Sequence, residues 1–375
     1  MKRYAVAVVT VLIASFLAGC SSRGRAPKMA ELPPITQSVL ARVVWSQNIG
    51  RAHDYVFRPA ATGDSVYAAS RSGDVARIDN GRFVWRINAG QILSGGVGAN
   101  AHIVAVGTPR GDILTFSAND GTRLWNARTS SEVLAPPAIG EGLVVVRSGD
   151  NRLAAYDVFS GARQWIFQRP TPPLSLRSTA PPVIDGGFVF AGFPGGRLIA
   201  VSTVNGAAAW EGTVALPRGT TDLERLADIA SLPVILNNTI CAVAFQGRVS
   251  CFDLRTGNLV WAREMSSAVG LAMDSRYLFV TDDQGTVHCL DIMTGATYWK
   301  QDRLHLRRVT APVIMGRNVV VGDARGFLHI LSREDGSFVG RLPTDGSAIV
   351  APLQVIHGRI LLQTSNGGIY AVEIE

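Results

Sequence analysis

The chain has 375 residues, 47% of them hydrophobic and only 17% charged, which supports a large apolar core and excludes a disordered chain. The formal charge of +7 comes from Lys and Arg scattered along the sequence, with no basic run and no interleaved aromatic stripe, so it carries no nucleic-acid-binding signature.

The first element is a targeting segment. Lys2 and Arg3 precede an apolar run over 6–17 that is too short to span a bilayer and fits a secretory signal. The run ends in Leu17-Ala18-Gly19-Cys20, which resembles the bacterial lipobox, where the Cys becomes the acylated first residue. That resemblance makes 1–19 a lipoprotein signal peptide and Cys20 the lipidation site. Ser21 stands where Asp would favour retention at the inner membrane, so the outer membrane, facing the periplasm, is expected. Residues 20–42 are polar and Pro-bearing and read as a flexible tether, reaching at most about 70 Å at ~3.3–3.6 Å per residue.

From residue 43 to 375 the chain keeps time. Its seven tryptophans stand at 45, 85, 125, 165, 210, 261 and 299, in steps of 40, 40, 40, 45, 51 and 38. A further step of 41 lands on Gly340, in the same surroundings without the indole. Four residues before all of these but Trp45 stands a glycine: Gly81, Gly121, Gly161, Gly206, Gly257, Gly295 and Gly336. Strand-like alternation on both sides, with Asp253 and Asp291 placed to accept turn amides, makes each copy a β-hairpin. A hydrophobic run precedes each hairpin at 65–70, 102–107, 143–147, 188–192, 239–244, 277–281, 318–322 and 359–363. A short Pro-bearing strand comes before most of those, suited to an edge lining a central channel. Four antiparallel strands in each of eight units predict an all-β, eight-bladed β-propeller. Residues 43–47 form a Trp strand without a blade in front, and 367–375 an inner strand without a Trp strand behind. The N-terminal strand is therefore expected to complete the last blade and close the ring. Each indole is expected to pack between its own blade and the next.

Two steps are long. The first excess lies in 168–179, where Pro170, Pro172 and Pro173 lead into Leu174-Ser175-Leu176-Arg177; the second lies in 213–233. Both follow a Trp strand, so both emerge on one face from neighbouring blades and form one surface patch. Thr221-Asp222-Leu223-Glu224 reads as a capping box, and Leu223, Leu226 and Ile229 recur at helical spacing, predicting a short amphipathic helix on the rim. Leu174 and Leu176 beside Arg177 fit a protein-binding anchor, the other reading being that both leucines tuck onto blade three or four.

Reactive groupings are thin. The repeat resembles that of the pyrroloquinoline-quinone enzymes, Ala-x-Asp-x-x-Thr-Gly-x-x-x-Trp, a family with eight-bladed alcohol and glucose dehydrogenases; that makes a periplasmic quinoprotein-type dehydrogenase or cofactor-binding propeller the alternative. The lid formed there by adjacent cysteines has no counterpart here, and the repeat motif belongs to the blade, so no cofactor is expected. The six histidines show no metal-ligand spacing, and His288 and His329 suit packing or blade-to-blade hydrogen bonding. Cys251 and Cys289 occupy a position held elsewhere by Ala155, Ala200 and Ala371, so a small buried site is expected; a Cys241–Cys251 disulfide is open. A propeller binding cell-wall sugars is a third reading.

Lipobox, repeat and both insertions together resemble the BamB family, lipoproteins of the β-barrel assembly machinery at the bacterial outer membrane. The resemblance covers essentially the whole chain and implies a non-enzymatic scaffold that aids insertion of outer-membrane proteins. It implies docking on the periplasmic POTRA domains of a BamA-like barrel subunit, with Leu174 and Leu176 as apolar anchors, Arg177 as donor and Asp228 as acceptor. The other lipoproteins of the complex would be indirect partners, unfolded outer-membrane proteins clients, and the membrane would be held through the lipid. A second acidic residue of the family motif is Ala230 here.

Overall fold

The computed structural model describes residues 28–375; the signal segment and Cys20 lie outside the described residues. Eight four-stranded antiparallel sheets follow one another as blades over 60–88, 95–128, 138–167, 183–213, 234–264, 270–301, 313–343 and 354–374. The first strand, Ala41–Asn48, is the outer strand of the eighth blade, pairing with Gly368–Ile374 from Ala41↔Ile374 to Asn48↔Gly368. The expected closure is therefore the observed one, and no blade keeps a raw edge from a missing strand. The prolines stand one step earlier than read from the sequence. Pro59, Pro137, Pro182, Pro233 and Pro312 each immediately precede an inner strand, so the ladder itself loses no donor.

The glycine of each hairpin has two duties. Its φ of +70 to +78° suits the turn. It is also where the indole of the preceding blade comes to rest. At Gly81, Gly121, Gly161, Gly206, Gly257, Gly295 and Gly336, a Cβ would lie 2.4–2.9 Å from a Trp atom of the blade before. Trp85, Trp125, Trp165, Trp210, Trp261 and Trp299 each donate Nε1–H to a main-chain carbonyl of the following blade, at 2.8–3.1 Å. Opposite the indole within its own sheet stands a small residue in most blades, as in Ala155↔Trp165, Ala200↔Trp210, Cys251↔Trp261 and Cys289↔Trp299. A register shift beside that pair bulges the strand and aims the ring outward across the blade boundary. Trp45 of blade eight rests on Gly81 of blade one, so the closing joint uses the same contact as the others.

The missing eighth indole has a local cause. Blade eight has no outer hairpin, because its two outer strands are the chain's ends, and so it offers no glycine to cover. The backbone of 38–40 fills the space instead. Ser38 N and Val39 N donate to Val339 O, Val39 O lies 3.0 Å from where a Cβ of Gly340 would be, and Leu40 pairs with Glu375.

Blade seven also holds the segment before that. Ala30 N donates to His305 O, Arg307 Nη1 donates to Ala30 O at 2.9 Å, and Arg341 donates to Pro33 O at 3.2 Å. Leu32 packs against the cluster of Phe279 and Trp299. The expectation of a free tether up to residue 42 is thus corrected: from residue 30 the chain is laid on blade seven. Beneath it sits a buried polar group. Asp323 accepts from Arg307 Nε at 2.7 Å and meets His329 Nε2 at 2.9 Å, and all three side chains are buried. His288 meets Asp282 in the same way in blade six, so these histidines bond within their own blades rather than across. Cys241 and Cys251 face each other on adjacent strands with Cα atoms 4.1 Å apart and are joined as a disulfide. Cys289 is buried, and burial pushes its thiol up to about 12.

Substituting Gly257 with Ala should destabilise the ring by roughly 2–4 kcal/mol, from the left-handed backbone and the overlap with Trp210. Trp210→Ala should cost about 3–5 kcal/mol. In urea unfolding, the double variant should lose clearly less than the sum of the two; strict additivity would show that ring and glycine do not act on each other.

Acid should loosen blade seven. Burial opposes ionisation of Asp323, but His329, the Phe327 amide and Arg307 outweigh it and hold the carboxyl at about 2. Its contribution is then full above the unfolded value near ~3.9 and is lost as pH falls toward about 2. Burial holds His329 below its ordinary value despite Asp323, so the unfolded chain takes up that proton first and stability begins to decline below roughly pH 6.5. Asp323→Asn should cost about 3–5 kcal/mol at neutral pH by stranding Arg307. It should also abolish the lower acid transition; a chevron or denaturant titration across pH reads both.

Candidate docking surface

The two long connections lie side by side. Residues 168–182 join blade three to blade four, and 214–233 join blade four to blade five. They are tied through Asp228, whose Oδ2 accepts Leu176 N at 2.6 Å and whose Oδ1 accepts Gly195 N at 3.0 Å. Ser178 Oγ adds a bond to Ala230 O at 3.1 Å. Asp228 is only 3% exposed, so its carboxylate is spent inside the chain. The expectation that it faces a partner as an acceptor is corrected: it positions the Leu174–Arg177 segment from behind.

The leucines separate. Leu174 is 42% exposed, while Leu176 is half-buried, held inward by its amide bond to Asp228. Arg177 is exposed and forks onto Glu132, Nε to Oε1 at 3.1 Å and Nη2 to Oε2 at 2.6 Å. Glu132 comes from the connection between blades two and three, so the surface spans three consecutive blade junctions. Sequence reading missed Glu132 because nothing in the repeat marks it. Arg147 was passed over as the last residue of the apolar run 143–147, although a charge in that place is the signal that could have found it. It is buried beneath this surface, bonded to Asn151 Oδ1 and set 5.5 Å over the Phe193 ring. Burial pushes its guanidinium down to about 10, with the charge of Asp228 acting against the shift.

The expected helix over the second insertion does not form. Its capping box does: Glu224 Oε2 accepts the amides of Thr220 and Thr221, and Thr221 Oγ1 accepts Glu224 N. These amides draw the Glu224 carboxyl down to about 2. The turn stops after Arg225, because Leu226, Ala227 and Ile229 are pulled into the ring. Ile229 fills the space over Gly192, where a Cβ would fall 2.2 Å from it. Leu223 is left 64% exposed at the lip of a hollow shared with Arg218, Gly219, Thr220, Glu224 and Gln246. What the surface can do is bind: it offers isolated apolar side chains and one exchangeable ion pair on a backbone held rigid from within.

The family model described as outer membrane protein assembly factor BamB matches residues 71–301. The chain is 42% identical over 371 residues to the outer membrane protein assembly factor BamB of Bordetella pertussis, covering 97% of this chain and 95% of that protein. The chain belongs to the BamB family. The crystal structure of BamB from Moraxella catarrhalis superposes with a TM-score of 0.84 at 30% identity, covering 89% of this chain and all of that one. Quinohemoprotein alcohol dehydrogenase from Comamonas testosteroni superposes at 0.71 with 12% identity, which shows the shared fold alone. A calcium-held quinone does not fit this member of the BamB family. Calcium asks for several carboxylate or carbonyl oxygens, whereas among the described residues the axial cavity has a mostly aliphatic wall whose one charged group is the cation Arg58, with no carboxylate.

Replacing Asp228 with Ala should free the first insertion without opening the ring. Hydrogen exchange should speed up at the amides of Leu176 and Gly195, while the blade amides keep their protection. Unchanged exchange at those two amides would show that the carboxylate does not hold them.

Proposed function

We propose that this protein is a non-enzymatic scaffold of outer-membrane protein assembly. In this reading it is lipidated at Cys20, held at the outer membrane facing the periplasm, and docked on the POTRA domains of a BamA-like barrel subunit. Other lipoproteins of the complex are reached indirectly, and unfolded outer-membrane proteins are its clients. Membership of the BamB family supports assembly-factor function and outer-membrane association. The observation that carries the docking reading is the pinned first insertion, with Leu174 projecting and Arg177 exposed beside Glu132. Arginine is among the residues enriched at binding hot spots, and Leu174 offers an apolar contact beside it. The Arg177–Glu132 pair is exposed and worth only about 0–1 kcal/mol, so a partner's carboxylate can take over the guanidinium at little cost. The lipid anchor would sit close: from Cys20 to the docked Ala30 the chain spans at most about 35 Å, which keeps blade seven toward the membrane.

Co-purification of the barrel subunit with full-length protein from detergent-solubilised membranes tests the docking. Leu174→Ala with Arg177→Ala should reduce recovery by about tenfold or more. Asp228→Ala should reduce it as well, although that residue is buried. Phe159→Ala, an exposed apolar residue on the outer hairpin of blade three, should leave it unchanged. Full recovery with the double variant, the ring still folded, would remove this surface from the reading.

A further inference from the structure

The axis of the ring carries an isolated charge. Where the inner strands begin, a cavity of about 210 Å³ opens between the blades, walled by Val56, Ala180, Leu232, Val269, Ala311 and Pro352. A second hollow continues from it, again lined by aliphatic residues. Arg58 borders both, and among the described residues it is the sole charged group in either wall. Its backbone is fixed to blade two, Arg58 N donating to Gly96 O and Arg58 O accepting from Val97 N. Its side chain has no such support. The Nε is buried without a hydrogen-bond partner, and burial lowers its pKa with no carboxylate acting against the shift. Ser231, from the connection between blades four and five across the ring, lines the same cavity. It is 4% exposed, and its Oγ is likewise buried and unpartnered.

A guanidinium half-buried among apolar walls with no anion beside it is disfavoured unless it is paired, and a buried hydroxyl wants an acceptor or donor. An unpaired Arg58 in an apolar wall, with the unpartnered Ser231 hydroxyl just behind the same cavity, describes the complement of a ligand. We propose that the axial cavity binds a small monocarboxylate with an apolar body, its carboxylate forked on Arg58 and bonded by Ser231 Oγ. Arginine suits a planar two-oxygen anion. The lone cation matches a single negative charge, and the apolar walls disfavour a strongly hydrated anion such as phosphate. The size is right for a benzoate-like body, since a cavity of roughly 150 Å³ already holds benzene. This site is lined in part by the inner ends of the same two insertions, at Thr179, Ala230 and Ser231, but it does not rest on the docking role.

Benzoate is the probe, titrated calorimetrically into the full-length protein in detergent, with benzamide as its uncharged isostere and inorganic phosphate as the competing anion. Saturable benzoate binding at one site per chain is expected, with benzamide and phosphate binding weakly or not at all. Arg58→Gln should weaken benzoate by about tenfold or more, and Ser231→Ala by roughly threefold or more. Arg58→Met removes the unpaired charge at similar length, so it should fold and melt no lower than the parent chain, and benzoate should no longer raise its Tm. The proposal is overturned if the parent shows no saturable binding or if benzamide or phosphate binds as tightly as benzoate. It is overturned equally if benzoate stabilises the Arg58→Met chain as much as the parent.

Discussion

Everything in this ring depends on an indole of one blade lying on the bare backbone of the next. The contact needs three things at once: a large flat side chain, a bulge that turns it outward, and a glycine across the boundary with no Cβ in the way. The indole N–H then reaches a carbonyl of the neighbour, so the joint is directional as well as apolar. The same joint recurs at every blade boundary but that between blades seven and eight, and repetition of one joint is what lets a row of sheets close into a circle.

Closure explains the exception. Where the two chain ends meet in blade eight there is no hairpin, hence no glycine to receive a ring, and the position opposite holds Gly340 under the backbone of Val39. The N-terminal segment is drawn along blade seven by the same geometry and is secured there by Arg307 and Arg341. The buried Asp323–His329–Arg307 group beneath it is satisfied internally, as a polar cluster in such a place must be.

The candidate surface takes its form because the ring leaves the insertions free of stacking duty and then reclaims part of them. In the second insertion, local preference and tertiary demand compete. The capping box wins a single turn; after it, burial of Leu226, Ala227 and Ile229 outweighs further helical bonds. Asp228 is drawn in with them and becomes the clasp for the neighbouring insertion, leaving Leu174 and Arg177 outside on a fixed frame. Rigidity of that kind favours binding, because little freedom remains to be lost when a partner arrives.

The blade count, the closing strand and the joint between blades were legible in the chain itself, since a repeated spacing of Trp and Gly reports a repeated unit whatever its surroundings. The position of the insertions was legible for the same reason, as breaks in that spacing. Whether Asp228 faces outward or inward, whether Leu174 and Leu176 share a fate, and whether residues 221–229 coil were not. Nor were Glu132 as the partner of Arg177, the strap laid over blade seven, or the solitary Arg58 on the axis. Each of those turns on residues far apart in the chain that meet only once the ring has closed, and periodicity carries no information about which distant backbone amide, carboxylate or empty cavity a side chain will find.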